Sequence, residues 1–380
     1  MKLAIIGASY LQEPLIRKAQ ELGYETHVFA WECGDIGETI ADYFYPISIV
    51  EKEDILEKCR IIGIDGICTI ASDLAVITVN YVAEQMGLIG NSMSCTLQST
   101  NKSLMRACFE KYGDPSPRSI KVTDISDLNG IELHYPIIVK PTDRSGSRGI
   151  TKLESPDGLE KAIEIALEQG FEKAALVEEY ATGQEFSVEY ISWNGEHQFL
   201  ALTHKYTSGP PHFIETGHME PAQVDAETLH RIQLVVSHAL DSLGIRYGAS
   251  HSELKVAADG SIRIIEIGGR MGGDLIGSNL VQLSTGVDFV KAVIDVAMGI
   301  EPCIERSHQQ AAGVRFVFNQ EDIEVYHRLQ QEHPEYIVAN DIHKITDEEV
   351  KDSGSRFGYF LMVAERIELL LPYLPNKGGK

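Results

Sequence analysis

The stretch Glu253-Leu254-Lys255-Val256-Ala257-Ala258-Asp259-Gly260-Ser261-Ile262-Arg263-Ile264-Ile265-Glu266-Ile267-Gly268-Gly269-Arg270 decides the reading of this chain. Apolar residues alternate on either side of Asp259-Gly260, a pair that favours the backbone of a tight hairpin turn. The pattern predicts two antiparallel strands, with Glu253 on the first and Glu266 on the second, so that cross-strand pairing brings two carboxylates together. Two such carboxylates repel unless a cation lies between them, and hard oxygen ligands suit Mg²⁺, above all where phosphate completes the shell. Arg270 follows with a fixed positive charge. Taken alone, the same residues also describe a surface hairpin with scattered acids. The surrounding chain separates the two readings.

Upstream, Lys2 to Gly7 is a short apolar run ending at glycine, Glu13 to Leu22 has amphipathic helical spacing, and Glu25 to Ala30 is a second strand. A further strand at Gly66 to Ala71 and a helix from about Leu74 to Met86 repeat the order, which predicts a parallel sheet covered by helices. The first loop, Gly7 to Pro14, lacks the second and third glycines of the dinucleotide fingerprint, which argues against a nicotinamide dehydrogenase. Ser72 and Asp73 stand at the carboxyl end of a strand, where Asp73 is either a helix N-cap or a ligand contact.

Composition removes several classes of function. Of the 380 residues, 33 are basic and 56 acidic, a formal net charge of −23 that repels nucleic acid and anionic membrane surfaces alike. The six cysteines show no metal-ligand spacing and read as reduced thiols. No apolar run reaches the roughly 18 residues of a membrane span, and Met1 to Gly7 is too short for a signal-peptide core. The expected compartment is cytoplasmic.

Lys102 opens a predicted helix that runs to about Tyr112. A lysine there faces the positive end of the helix dipole, an arrangement that a nearby anion makes favourable. The strand Pro136 to Pro141 places Lys140 at its end. Asp143-Arg144-Ser145-Gly146-Ser147-Arg148-Gly149 follows, a loop whose glycines let backbone N–H groups approach phosphate and whose Ser145, Ser147 and Arg148 add donors. It lacks the GK[ST] of a Walker loop. The strand Ala174 to Tyr180 then runs into Glu178 and Glu179, and Gly183-Gln184-Glu185 leads into the next strand, Phe186 to Ser192; acceptors at such a junction suit an adenine amino group and ribose hydroxyls.

In this order, Lys102, Lys140, the Ser145 to Gly149 loop, Glu178-Glu179-Tyr180, Glu185, Glu253, Glu266 and Arg270 resemble the ATP-grasp superfamily over nearly the whole chain. The resemblance implies an α/β and α+β architecture. Its parts are a Rossmann-like pre-ATP-grasp domain (residues 1–95), an ATP-grasp domain (96–300, with a small lid subdomain at about 115–182) and a C-terminal part (301–380) packing on the core. It also implies ATP and Mg²⁺ as cofactors, with Mn²⁺ as the alternative ion. Lys102, Lys140 and the loop residues Ser145, Gly146, Ser147 and Gly149 would hold phosphates, Glu178, Tyr180 and Ala181 adenine, Glu185 ribose, and Glu253 and Glu266 the metal. Many relatives carry asparagine two residues after the second glutamate; this chain has Gly268.

The chemistry so implied is ATP-dependent carboxylate–amine ligation through an acylphosphate, with release of ADP and phosphate. The segment Thr203 to Pro221, dense in polar and turn residues, reads as a long functional loop between strands. With the run Glu266 to Asp274, it resembles the L-amino-acid ligase and carnosine-synthase-like branch. Carried over by position, Glu215 faces a substrate ammonium group, Arg270 a carboxylate or phosphate, and Lys205 the γ-phosphate. The partners are then small carboxylate and amine substrates, and the resemblance alone implies a homodimer. The alternatives are an ATP-dependent carboxylase or formylating enzyme of the biotin-carboxylase or purine-synthesis type, and an ATP-binding regulator without catalysis. His204, His212 and His218 read as loop histidines rather than a zinc site, Asp274 as the cap of a helix near Leu275, Arg356 to Gly358 as structural, and the last six residues as a frayed tail.

Overall fold

The computed structural model describes residues 1–144, 146, 148–209, 213–346 and 349–375. The apolar runs of the N-terminal part form four short strands, β1 (Lys2–Ile6), β2 (Glu25–Phe29), β3 (Tyr43–Tyr45) and β4 (Gly66–Cys68). They pair in parallel in the order β3-β2-β1-β4. Leu3 to Ile6 of β1 are fully buried, as expected of a strand covered on both faces. Ser72 caps the helix Asp73–Met86 by accepting the Ala75 N–H at 3.3 Å. Asp73 is therefore not the N-cap, and its carboxylate is free for another partner.

The next part is a four-stranded antiparallel sheet in the order β5-β8-β6-β7, from β5 (Ser119–Val122), β6 (Ile137–Pro141), β7 (Thr151–Leu153) and β8 (Ala175–Glu179). The helix Leu159–Gln169 covers it with Ala162, Ile163 and Ala166. Gly183 lies where the chain leaves this sheet. Its φ of +117° and its position against Val256, whose carbonyl oxygen would stand 2.3 Å from a Cβ there, admit no side chain.

Eight strands make the central sheet, β9 (Gln184–Trp193), β10 (Glu196–Thr207), β11 (Glu215–Glu220), β12 (Gly248–Val256), β13 (Ile262–Gly268), β14 (Ala311–Phe316), β15 (Ile337–Ile342) and β16 (Gly358–Ala364). Their order is β13-β12-β9-β10-β11-β14-β16-β15, so the C-terminal strands extend the sheet of the central part. The helix Ala226–Leu243 packs one apolar stripe on this sheet. The helix Phe289–Ala297 is buried almost all round because it is shared: its core includes Leu3, Leu15 and Ile16 of the N-terminal part and Leu200 and Ala249 of the central sheet. That shared core joins the N-terminal sheet to the central sheet.

Two expectations change. The segment Thr203 to Pro221 is mostly strand, the end of β10 and all of β11, and the connection between them is only residues 208–214. His218 is consequently a fully buried strand residue, while His212 lies outside the described residues. No helix is long and apolar enough to cross a membrane among the described residues.

Candidate active site

β12 and β13 form the predicted hairpin, turning at Gly260 with φ +79°, and Glu253 and Glu266 are directly opposed in register. A bulge beside this pair inserts Ile265, whose carbonyl accepts from Arg106 at 2.7 Å. Each carboxylate is closed by a lysine from another element: Glu266 by Lys102 at 2.7 Å and Glu253 by Lys205 at 2.6 Å. Lys102, the first residue of the helix Lys102–Tyr112, thus has the anion that its unfavourable place on the helix dipole calls for. It also donates to the Arg144 carbonyl at 2.8 Å, tying the helix to the glycine-rich loop.

Lys205 is the hub of an acidic cluster. Besides Glu253 it has Glu185 at 3.2 Å and Glu215 at 3.5 Å, and its side chain is 3% exposed. Burial disfavours its charge, but the three carboxylates outweigh that and raise its pKa well above the ordinary lysine value. Reciprocally, Lys205 and then His251 hold Glu253 ionised against its burial. For Glu215 the balance tips the other way: burial, with Asp274 and Glu253 nearby, raises its pKa despite Lys205.

The alternation of β9 and β12 supplies the wall of the site. Lys255, Glu253 and His251 stand in register with Glu185, Ser187 and Glu189, placing polar side chains at every second position of neighbouring strands. His251 Nδ1 pairs with Glu189, which also accepts the Gly272 N–H at 3.0 Å. Burial opposes the imidazolium, yet Glu189 holds the His251 pKa up at about 9.

A second layer of ion pairs joins distant parts of the chain. Arg270 donates twice to Asp73, at 2.8 and 2.9 Å. Arg356 donates twice to Asp274, at 3.1 and 2.7 Å, and to the Glu215 carbonyl at 3.3 Å. Ser353 Oγ donates to the Glu215 carboxylate at 3.1 Å. Asp274 is therefore an ion-pair partner and no helix cap, and Arg356, read from sequence as structural, belongs to the site. Gly268 sits beneath the first of these pairs: a Cβ there would stand 2.8 Å from Asp73 Oδ1 and 3.3 Å from Arg270 Nε.

Three cavities meet around Glu253. One of about 120 Å³ lies in the cleft between the two antiparallel sheets, against Tyr180, Ala181, Glu185, Lys140 and Glu253. A second of about 320 Å³ is walled by Glu215, Asp274, His218, Lys205 and Arg270. A third of about 130 Å³ joins them, lined by Lys102, Lys140, Gly146, Glu253, Glu266 and Arg270.

The sequence of residues 133–279 matches the ATP-grasp domain family. Solved structures agree across the whole chain. An L-amino acid ligase from Bacillus licheniformis superposes with a TM-score of 0.83 over 97% of this chain and 94% of its own, at 23% identity. An N5-carboxyaminoimidazole ribonucleotide synthetase bound to ADP gives 0.78 over 98% and 94%, at 18% identity. The fold is the ATP-grasp fold. Among sequence relatives, the alanine–anticapsin ligase of Bacillus subtilis is 26% identical over 298 residues, which is 69% of this chain and 62% of that protein. A D-alanine–D-alanine ligase from Hydrogenovibrio crunogenus is 27% identical over 168 residues, 42% of this chain and 51% of that protein. The chain thus spans less than two thirds of the length of either relative.

Within the ATP-grasp fold the expected site residues fall as follows. Lys102, Lys140, Lys205, Glu185, Glu215, Glu253, Glu266, Gly146 and Arg270 all line the joined cavities, and Tyr180 and Ala181 line the cleft. Gly146 and Gly149 both have positive φ, the conformation for which the loop needs glycine, while Ser145 and Ser147 lie outside the described residues. Glu178 lines the same cleft and carries two further partners. One carboxylate oxygen pairs with Lys140 and the other with Arg106 at 3.1 Å, and these cations keep it ionised despite burial. Those two cations fix its orientation, and through it that of Lys140 in the phosphate region, while Glu178 remains part of the cleft lining beside Tyr180 and Ala181. Lys152 and Lys255 stand over the Tyr180 ring at 4.1 and 4.8 Å, two neighbours of the cleft that the sequence reading omitted.

Among the described residues no group of three or more histidine, cysteine or acidic side chains is arranged to hold a metal ion. The donors at the junction are two opposed carboxylates, each neutralised by a lysine, beside a glycine-rich loop. That is the donor chemistry of a divalent cation whose remaining ligands are phosphate and water. The residues present fit a Mg²⁺–nucleotide complex.

Proposed function

We propose that the protein is an ATP-dependent carboxylate–amine ligase that joins amino acids through an acylphosphate. The observation carrying this reading is the junction at Glu253 and Glu266, where the cleft at Tyr180 and Ala181 joins a cavity walled by Glu215 and Asp274. The kinship with an alanine–anticapsin ligase and a D-alanine–D-alanine ligase supports it.

In this reading the base and ribose occupy the cleft by Tyr180, Ala181 and Glu185, and Lys102, Lys140 and the Gly146 to Gly149 backbone hold the phosphates. Glu253 and Glu266 would hold Mg²⁺, or Mn²⁺, which when bound neutralises charge on the transferring phosphoryl group. A carboxylate is a poor acylating agent because its leaving group would be oxide; phosphorylation by ATP replaces that with phosphate. The chain's own work is placement and charge. Arg270, oriented by Asp73, faces the carboxylate and the oxyanion that follows amine attack. Glu215, steadied by Ser353 and Arg356, receives the ammonium group of the amino acid being activated. Lys205 bridges the two regions. Every step is phosphoryl or acyl transfer between bound groups, so no protein nucleophile is needed.

The test is phosphate release from ATP and Mg²⁺ with amino acids offered singly and in pairs, products being identified by mass spectrometry. Pair-dependent release of ADP and phosphate, with a conjugate one water lighter than the sum, is the expected result. AMP and pyrophosphate would overturn the acylphosphate route, and bicarbonate-dependent phosphate release would turn the assignment to carboxylation.

A further inference from the structure

A fourth cavity, of about 620 Å³, opens beside the junction, and Glu215 is not in its lining. It shares Asp73, Lys102, Arg144 and Glu266 with the joining cavity, so it is continuous with the point where the reacting groups would meet. Leu74, Ile77, Leu97 and Phe171 give it an apolar side, and Leu97 and Phe171 are 47% and 61% exposed. Large apolar side chains left in the open around a concave surface mark a place for an apolar group.

The charges in its walls are not balanced. Asp73 is taken by Arg270, Glu266 by Lys102, and Asp143 accepts the N–H groups of Phe171 and Glu172 at 3.0 and 2.6 Å. Arg144 and Arg148 remain, with no carboxylate partner among the described residues of an otherwise strongly acidic chain. Arg144 lies over the Phe171 ring at 4.5 Å, and its Nε is buried without a hydrogen-bond partner among the described residues.

We infer that this cavity binds the acyl acceptor, an amino acid with an apolar side chain. Its carboxylate would be received by Arg144, with Arg148 adding charge, and its side chain would lie along Leu74, Leu97 and Phe171. The inference rests on the ligase reading and deepens it. When two amino acids are joined, the activated one keeps its ammonium group and the acceptor keeps its carboxylate. The two cavities differ accordingly: Glu215 and Asp274 line one, and Arg144, with no carboxylate partner among the described residues, lines the other, while Arg148 lines both. The acceptor amine attacks the carbonyl carbon of the acylphosphate; a C–N bond forms, the C–O bond to phosphate breaks with its electron pair leaving on phosphate, and the nitrogen sheds a proton to solvent.

Hydroxylamine separates the two claims, because this small nucleophile traps an acylphosphate as a hydroxamate without needing an acceptor site. The amino acid that supports ATP-dependent hydroxamate formation is first identified. It is then paired with L-leucine, L-leucinamide or glycine as acceptor, for wild type, Arg144→Met and Leu97→Trp. Wild type should favour leucine over leucinamide and over glycine by about tenfold in kcat/KM, the scale set by one lost charge contact or apolar group. Arg144→Met should erase the preference over leucinamide. Leu97→Trp, at a half-exposed helix position that tolerates bulk, should lower kcat/KM for leucine relative to hydroxylamine by about tenfold. Hydroxamate formation with all three ratios unchanged in both variants would overturn the acceptor site alone. Absence of hydroxamate from any amino acid in wild type would overturn the ligase reading beneath it.

Discussion

Lys205 and Glu253 form a 2.6 Å ion pair on facing sides of the junction, and that pair occupies one of the two carboxylates a divalent cation would use. Glu185 and Glu215 close on the same ammonium. Replacing Lys205 by methionine leaves three clustered carboxylates without their buried cation. The expected cost is about 3 kcal/mol of folding stability, the range for breaking a buried charge network. Millimolar Mg²⁺ should restore part of it by binding the freed acids. Urea unfolding with and without Mg²⁺ measures both effects, and a variant as stable as wild type in the absence of metal would show that the cluster has no such cation dependence.

Glu266 is the second opposed acid, and its side chain is only partly buried. Glu266→Gln keeps the shape and removes the charge, while Lys102 retains the Arg144 carbonyl as acceptor. Turnover should fall by at least about 100-fold, as for loss of one electrostatic partner of a transition state, with an unchanged circular dichroism spectrum. Normal turnover would take Glu266 out of the chemistry.

How far these residues were legible in the sequence follows from the range of each signal. The hairpin, and with it the opposition of Glu253 and Glu266, was written in local alternation and a turn dipeptide. The parallel N-terminal sheet was legible for the same reason, since its strands are unbroken apolar runs. Period-two placement of Glu185 and Glu189, and of His251, Glu253 and Lys255, was also present in the sequence and would have pointed to His251 and Glu189 had the strands been read face by face. Arg356 with Asp274, and Asp73 with Arg270, join residues 82 and 197 positions apart, and no local pattern announces such pairs. The segment Thr203 to Pro221 misled because its polar residues resemble a loop, whereas in a strand facing a cavity polar side chains are what the lining requires.

His218 gives a pH prediction. It is fully buried on β11 with both ring nitrogens unpartnered among the described residues, and burial lowers its pKa to about 3. The unfolded chain takes up a proton at this residue near the ordinary value of 6.5, whereas the folded chain does not until about 3. Stability contributed by the neutral state is therefore intact above pH 6.5 and is lost as pH falls toward 3. The slope is about 1.4 kcal/mol per pH unit for one proton. His218→Leu removes the titrating group. The stability difference between wild type and variant should shift in favour of the variant by that slope between pH 6 and 4.5, measured by urea unfolding at several pH values. A difference independent of pH would show that His218 does not titrate differently in the two states.

Gly268 stands where the family resemblance leads one to expect asparagine. Its φ is not in the left-handed region, so the obstacle to a side chain is space: a Cβ would stand 2.8 Å from Asp73 Oδ1 and 3.3 Å from Arg270 Nε. The Asp73–Arg270 pair thus fills the volume that the asparagine side chain would use. Gly268→Asn must push that pair aside, at a cost of about 1–3 kcal/mol for overpacking, and it should reduce turnover because Arg270 loses its orientation. If the collision is with Asp73, the same substitution should cost less in an Asp73→Ala background, where the carboxylate is gone. A double-mutant cycle in unfolding free energy reads this directly, with a coupling of at least about 0.5 kcal/mol expected for groups in contact. Additive costs would mean that Gly268 is required for some reason other than the room it leaves to Asp73 and Arg270.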